Sequence, residues 1–263
     1  MRTVVALGGH LLAREALDPS LLDPLRGDEL LFTHGNGPQV GEHPAEPLGE
    51  AVALTQAQIG SDLALALDAV CVVTHVEVDP ADPAFEQPTK PIGPFLEARP
   101  DGPAIHDDAC GWRRVVPSPR PLTIRELDAI RALAAGGPAV VCCGGGGIPV
   151  SRGRVLDAVI DKDRISALLA ELLGADRLVV LTDVDAVYRD FGTPHERAVS
   201  RLTPDEADAL LPELSAGSMR PKLEACAAFA RATGNEAMIA SARALEAALE
   251  ARAGTRVAPS GPS

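Results

Sequence analysis

The sequence predicts an α/β protein built on a mostly parallel sheet with helices on both faces. Two observations carry that expectation. Short, continuously apolar runs rich in β-branched residues alternate with helical stretches, and glycine turns repeatedly follow those runs. With 263 residues, 46% of them hydrophobic, the chain can bury one large core that carries a small lobe, so two equal domains are not expected.

Residues 2–7 read as a buried strand meeting the turn Gly8-Gly9, followed by a short helix over 11–17. Residues 30–33 form a second strand that runs into His34-Gly35-Asn36-Gly37-Pro38. The proline-rich, polar stretch 42–50 reads as a loop before a helix over about 51–67, and 69–78 reads as a third strand. Between 79 and 119 prolines crowd the sequence and no helical period persists, so an inserted lid at about 80–119 is expected.

Thr123 and Glu126 are spaced as a capping box that would start a helix, and 139–143 is a strand ended by Gly144-Gly145-Gly146-Gly147. After a hairpin around 151–160, Asp161-Lys162-Asp163 opens a helix running to about 173. Residues 177–182 form a further strand, with helices at about 203–211 and 218–232. A strand near 237–240 and a final helix to about 252 complete the domain, 1–253, and 254–263 reads as a disordered tail. The glycine turns all follow strands, the edge at which parallel sheets bind ligands and at which bare backbone amides can approach phosphate oxygens.

The formal charge of -13, with no basic run to offset it, argues against nucleic acid and anionic membrane as partners. No apolar stretch approaches the roughly 18 to 20 residues of a membrane span, and the first residues read as a strand rather than a signal peptide, so a soluble cytoplasmic protein is expected. Five cysteines, an odd number without a CxxC pair, suit buried thiols in a reducing compartment and indicate neither zinc nor disulfides. No protein metal site is expected.

Of 24 basic residues only three are lysine: Lys90, Lys162 and Lys222. Base-composition drift toward arginine explains the bias, but where arginine replaces every generic cation, the surviving lysines mark positions that need a compact ammonium on a flexible stem. The chain contains neither GxxxxGK[ST] nor a GxGxxG turn with a following acidic residue, so Walker ATPases and Rossmann dehydrogenases lose their main support.

Several segments, in order, resemble carbamate kinase of the amino acid kinase superfamily. They are Val5-Ala6-Leu7-Gly8-Gly9, Thr33-His34-Gly35-Asn36-Gly37-Pro38, Pro88-Thr89-Lys90-Pro91-Ile92-Gly93, Gly111-Trp112-Arg113-Arg114-Val115-Val116-Pro117, Gly144-Gly145-Gly146-Gly147, Ala158-Val159-Ile160-Asp161-Lys162-Asp163, Leu181-Thr182-Asp183-Val184-Asp185-Ala186-Val187-Tyr188 and Ala216-Gly217-Ser218-Met219-Arg220-Pro221-Lys222. The resemblance implies an open αβα sandwich with a protruding lid, and ATP/ADP with Mg2+ as the reacting nucleotide. It implies reversible phosphoryl transfer between ATP and carbamate, a small-molecule substrate, and a homodimer.

Carried over residue by residue, Lys162 and Lys222 would grip the phosphoryl and ADP side, Asp163 would hold these ammonium groups, and Lys90 would reach the acceptor side from the lid. Gly8, Gly9, His10, Gly35, Asn36 and Gly37 fall on the acceptor and phosphoryl side, and Gly145, Gly146, Asp183, Asp185, Tyr188, Met219 and Pro221 on the nucleotide side. Phosphoryl transfer between two anions needs positioning and charge neutralisation more than proton chemistry, which suits three ammonium groups and a helix start.

Three departures from the family pattern stand out. His10 occupies a position where the family has asparagine, Arg220 replaces a small or apolar residue, and 11–28 and 42–50 are shorter than expected. These leave open a kinase of the same fold acting on another small anion, a carboxylate, phosphate or phosphonate. A silent nucleotide-binding regulatory protein is disfavoured, since Lys90, Lys162, Asp163 and Lys222 are all present.

Overall fold

The computed structural model describes residues 1–8, 18–43, 46–108, 110–214 and 218–260. Gly9, His10, the helix expected over 11–17, and Ala216-Gly217 lie outside the described residues.

Strand Arg2–Leu7 sits inside an eight-stranded sheet with the spatial order Arg201–Leu202, Thr255–Val257, Glu236–Ser241, Arg177–Thr182, Arg2–Leu7, Glu29–His34, Ala139–Val141, Ala69–Cys71. Every neighbouring pair is parallel except Glu236–Ser241 against Thr255–Val257. The apolar runs are continuous because both faces are covered. Val4, Ala6, Leu178, Val180, Ala237 and Ile239 enter one core, while their neighbours Val5, Leu7, Val179, Leu181, Met238 and Ala240 enter the other.

The helices are α1 (Gly37–Val40), α2 (Leu48–Leu67), α3 (Leu127–Ala135), α4 (Lys162–Leu173), α5 (Pro204–Leu210), α6 (Met219–Thr233) and α7 (Leu245–Leu249). The first core takes Ile130 of α3, Ile165 and Leu169 of α4, and Leu223 and Phe229 of α6. The second takes Leu63 of α2, Leu245 and Ala248 of α7, and Leu22 and Leu25 of the 3-10 turn Pro19–Leu25. This is the αβα sandwich that the sequence and its resemblance imply.

The strand read over 69–78 is two strands in different sheets. Ala69–Cys71 ends the main sheet, and His75–Val78 pairs with Ile148–Ser151 and Pro121–Ile124 in a second, four-stranded sheet. The crossing residue Thr74 is held by the Gln56 side chain. Its N–H donates to Gln56 Oε1 (3.0 Å), and Gln56 Nε2 donates back to its carbonyl (3.3 Å), so the chain changes sheets without orphaned backbone groups.

The capping box is also corrected: Thr123 lies in a strand opposite Glu77, and α3 begins at Leu127. Glu126 instead accepts from the His75 N–H (2.8 Å), with its other oxygen 2.8 Å from His75 Nδ1. The tail is not disordered over its described part. Thr255–Val257 pairs with two strands of the main sheet, Val257 is fully buried, and the Thr255 hydroxyl accepts from the Val187 N–H (2.8 Å). Four residues between Gly254 and Pro259 are too few to show a strand period.

Within the expected lid, Lys90–Leu96, Ala104–Asp107 and Gly111–Val116 form their own antiparallel sheet, with Gly111–Val116 in the middle. Its base is rooted in a third core, where Ile92 and Val116 pack with Val40, Val52 and Ile148. It also touches α1 directly: a Cβ on Gly41 would fall 2.1 Å from the Gly93 Cα, so two bare backbones meet there.

Candidate active site

Four strand ends converge on one cavity of about 870 Å3. Arg2–Leu7 delivers Gly8, Glu29–His34 delivers Gly35 to Gly37, Ala139–Val141 leads to Gly145, and Arg177–Thr182 delivers Thr182 and Asp183. Lys90, Pro91 and Arg113 reach it from the inserted sheet, Asp161 to Asp163 from the start of α4, and Met219, Pro221 and Lys222 from α6.

Glycines keep the strand ends in contact. Gly8 donates its N–H to the Leu181 carbonyl (3.1 Å), and a Cβ there would stand 3.0 Å from that oxygen. Gly145 adopts φ +62°, and a Cβ would fall 2.1 Å from Asn36 Nδ2. Asn36 is buried and its amide donates to the Thr55 hydroxyl of α2 (2.9 Å), which fixes its orientation at the cavity wall.

At the start of α4, Asp161 caps the helix by accepting from the N–H groups of Asp163 (2.9 Å) and Arg164 (3.3 Å). Its other oxygen pairs with the Lys90 ammonium from the insert. Burial alone would raise this carboxyl, but the charge and hydrogen bond of Lys90, with help from Lys162 and the Arg164 amide, hold it well below the usual carboxylate range.

Two residues on, in the first turn of α4, Asp163 bridges two ammonium groups: Oδ1 lies 2.6 Å from Lys162 Nζ and Oδ2 3.5 Å from Lys222 Nζ. Lys222 also donates to the Ser218 carbonyl, 3.1 Å away. Burial pushes the Lys162 ammonium below its ordinary value, and Asp163 restores only part of the shift. Three ammonium groups thus meet two carboxylates, leaving a surplus positive charge at the helix start.

Beyond this centre the cavity is walled by Asp183, Val184, Tyr188, Phe191, Met219 and Pro221. The Tyr188 hydroxyl donates to Asp185 (2.7 Å), and its ring lies 6.0 Å from that of Phe191.

Of the residues singled out from sequence, Gly8, Gly35, Asn36, Gly37, Lys90, Gly145, Lys162, Asp163, Asp183, Tyr188, Met219, Pro221 and Lys222 line the cavity. Gly146 and Asp185 do not. A Cβ on Gly146 would fall 2.2 Å from the Ile160 carbonyl, so that glycine admits the segment leading into α4. Asp185 serves as the Tyr188 acceptor. Arg220, one of the departures from the family pattern, does not line the cavity and donates to the Leu214 carbonyl (2.9 Å). Gly9 and His10 fall outside the described residues.

Sequence reasoning missed the pairing of Asp161 and the wall positions of Arg113, Thr182 and Phe191. Asp161 read as a helix cap, which it is. Its contact with a residue 71 positions away leaves no local trace.

Residues 1–241 match the amino acid kinase family. A carbamate kinase of Halobacterium salinarum is 44% identical, covering 98% of this chain and 98% of the relative. That alignment runs over 301 positions although the chain has 263 residues, so part of the relative's length faces gaps here. A carbamate kinase of Escherichia coli K12 is 42% identical, covering 96% of this chain and 97% of the relative. The solved structure of carbamate kinase from Giardia lamblia bound to AMP-PNP has a TM-score of 0.87 at 34% identity and covers 98% of both chains.

Proposed function

The chain belongs to the amino acid kinase family, and from that premise we propose that its cavity works as a carbamate kinase, moving a phosphoryl group reversibly between ATP and carbamate. The observation that carries this reading is the Asp163 carboxylate fixed between Lys162 and Lys222 beside glycine-lined strand ends.

In the direction of ATP formation, a terminal phosphate oxygen of ADP bonds to the phosphorus of carbamoyl phosphate as its bond to the carbamate oxygen breaks. The attacking ADP oxygen arrives as an anion and the carbamate oxygen leaves as one, so no protein group moves a proton. Lys162 and Lys222 meet the equatorial oxygens of the transferring group, and the bridge from Asp163 keeps the two ammonium groups from splaying apart. Lys90 offers its ammonium to the acceptor, and the amides following the strands, at Gly8, Gly35 and Gly37, approach the acceptor and phosphoryl oxygens. Gly145, Asp183, Tyr188, Met219 and Pro221 take the nucleotide.

Among the described residues no three His, Cys, Asp or Glu side chains gather as a metal cage, and Asp161 and Asp163 are already engaged by lysines. That donor set fits Mg2+ carried in on nucleotide phosphates and water, whose water shell the further carboxylates lining the cavity, Asp183, Asp190 and Glu213, could hold. Bound in that way, the ion would neutralise charge on the phosphate oxygens.

The same reading treats the insert at about 80–119 as a lid on one domain and places the protein in the cytoplasm. No described helix is long and apolar enough to cross a membrane. It also includes a homodimer, for which the exposed Leu65, Val70 and Val73 beside the edge strand Ala69–Cys71 offer apolar surface for a second copy. Light scattering in solution tests the dimer.

The function is tested by coupled detection of ATP from ADP and carbamoyl phosphate with Mg2+ supplied. Acetyl phosphate and phosphonate substrates run alongside probe the acceptor choice that His10 raised. Saturable ATP formation from carbamoyl phosphate supports the reading, and a folded protein that turns over only another substrate overturns it.

A further inference from the structure

Each of the three cavity lysines already has a carboxylate: Lys90 has Asp161, and Lys162 and Lys222 share Asp163. A fourth cation on the same wall does not. Arg113, in the middle strand of the inserted sheet, is half-buried and lines the cavity with Lys90 and Pro91. Among the described residues no carboxylate pairs with it, and its guanidinium is lowered from its ordinary value by burial alone. A guanidinium so placed stays charged, so it brings an unneutralised positive charge to the cavity.

Its position is built rather than incidental. Nε donates to the Gly93 carbonyl (2.8 Å), and the guanidinium carbon stands 5.3 Å from the centre of the Phe95 ring. Gly93 is the residue whose backbone meets Gly41, and the Pro91 carbonyl lies against Gly37, 3.7 Å from where a Cβ would be. The backbone that anchors Arg113 is therefore in contact with the turn carrying Gly35, Asn36 and Gly37. With Nε committed, the two terminal nitrogens remain in the fork geometry that grips carboxylate or phosphate oxygens.

We propose that Arg113 is a binding residue for the anionic acceptor, gripping the carboxylate of carbamate and the same oxygens of carbamoyl phosphate once the lid lies over the cavity. The proposal rests on the phosphotransfer reading above. It assigns to Arg113 the charge that Lys90, paired with Asp161, does not supply on its own.

The test compares the parent with Arg113→Lys and Arg113→Met in the ATP-forming direction, together with titration of each by inorganic phosphate, followed through the fluorescence of the neighbouring Trp112. Loss of one charge-assisted contact should raise KM for carbamoyl phosphate about 10- to 100-fold in Arg113→Met, with a smaller rise in Arg113→Lys. KM for ADP should stay within about two-fold, and phosphate binding should weaken in the same order. Equal KM values for carbamoyl phosphate in all three proteins overturn the proposal. So does a loss that raises both KM values alike and lowers the melting temperature in both variants, since that marks a purely structural arginine. If the parent turns over no carbamoyl phosphate, the function assigned above fails, and the phosphate titration still decides Arg113 by whether its affinity depends on that side chain.

Discussion

Lys90 of the inserted sheet and Asp161 at the cap of α4 form an ion pair that ties the insert to the helix start where the other two lysines converge. Asp161 has two separable duties, because one oxygen caps the helix and the other holds Lys90. Asp161→Asn keeps the cap and removes the charge. It should lower kcat about ten-fold or more through a misplaced Lys90, while KM for ADP changes little. Asp161→Ala loses the cap as well, and urea unfolding should show it about 1 kcal/mol less stable than Asp161→Asn. Equal activity in Asp161→Asn and the parent would show that Lys90 needs no such anchor.

Lys162→Ala should reduce kcat by roughly 10² to 10⁴, the usual loss on removing one preorganised electrostatic contact. The ammonium also sets a pH limit. Burial lowers Lys162 below its ordinary value of 10.5, so the rate should fall on the alkaline side at a pH below that value as the proton leaves. In Lys162→Arg the guanidinium keeps its charge, and whatever activity survives should lack that alkaline limb.

His34 lies buried at the end of strand Glu29–His34, where a Cβ on Gly144 would fall 2.1 Å from its Nε2. Burial lowers its pKa from 6.5 to about 4. The folded form therefore binds fewer protons than the unfolded chain between those values, so stability is lost as pH falls through that window. The loss should reach roughly 3 kcal/mol, and it should be read as a flattened pH dependence of urea unfolding in His34→Gln.

Gly41→Ala forces a Cβ to within 2.1 Å of the Gly93 Cα, a backbone atom that cannot swing aside. The insert and the α1 turn must part. KM for carbamoyl phosphate should rise several-fold more than KM for ADP, with a stability loss of about 1 to 3 kcal/mol. If the two KM values rise together, the Gly41 contact supports the whole domain rather than the acceptor side.

The central main-sheet strands and α4 were legible in the sequence because their signals are local: largely apolar runs over 2–7 and 177–182, and a cap directly before Lys162. The break at Thr74 was not, since a residue that changes sheets keeps the apolar pattern of a strand and betrays itself only through Gln56, 18 positions away. Thr123 and Glu126 carried the spacing of a cap, but pairing with Glu77 and His75 outweighed it. Thr255–Val257 was too short to show a period and became a strand because the edge of the Glu236–Ser241 strand needed a partner.

By itself the sequence determined the αβα order, the three lysines worth attention and the glycine turns that surround them, because each depends on residues close together in the chain. Only the tertiary structure decided how those lysines are neutralised. It gave Asp161 to Lys90 and shared Asp163 between Lys162 and Lys222. It also left Arg113 without a carboxylate among the described residues. Charge pairing acts through space over a few ångströms, and residues 71 and 59 positions apart reach that distance only once the sheet and its insert have closed around one cavity.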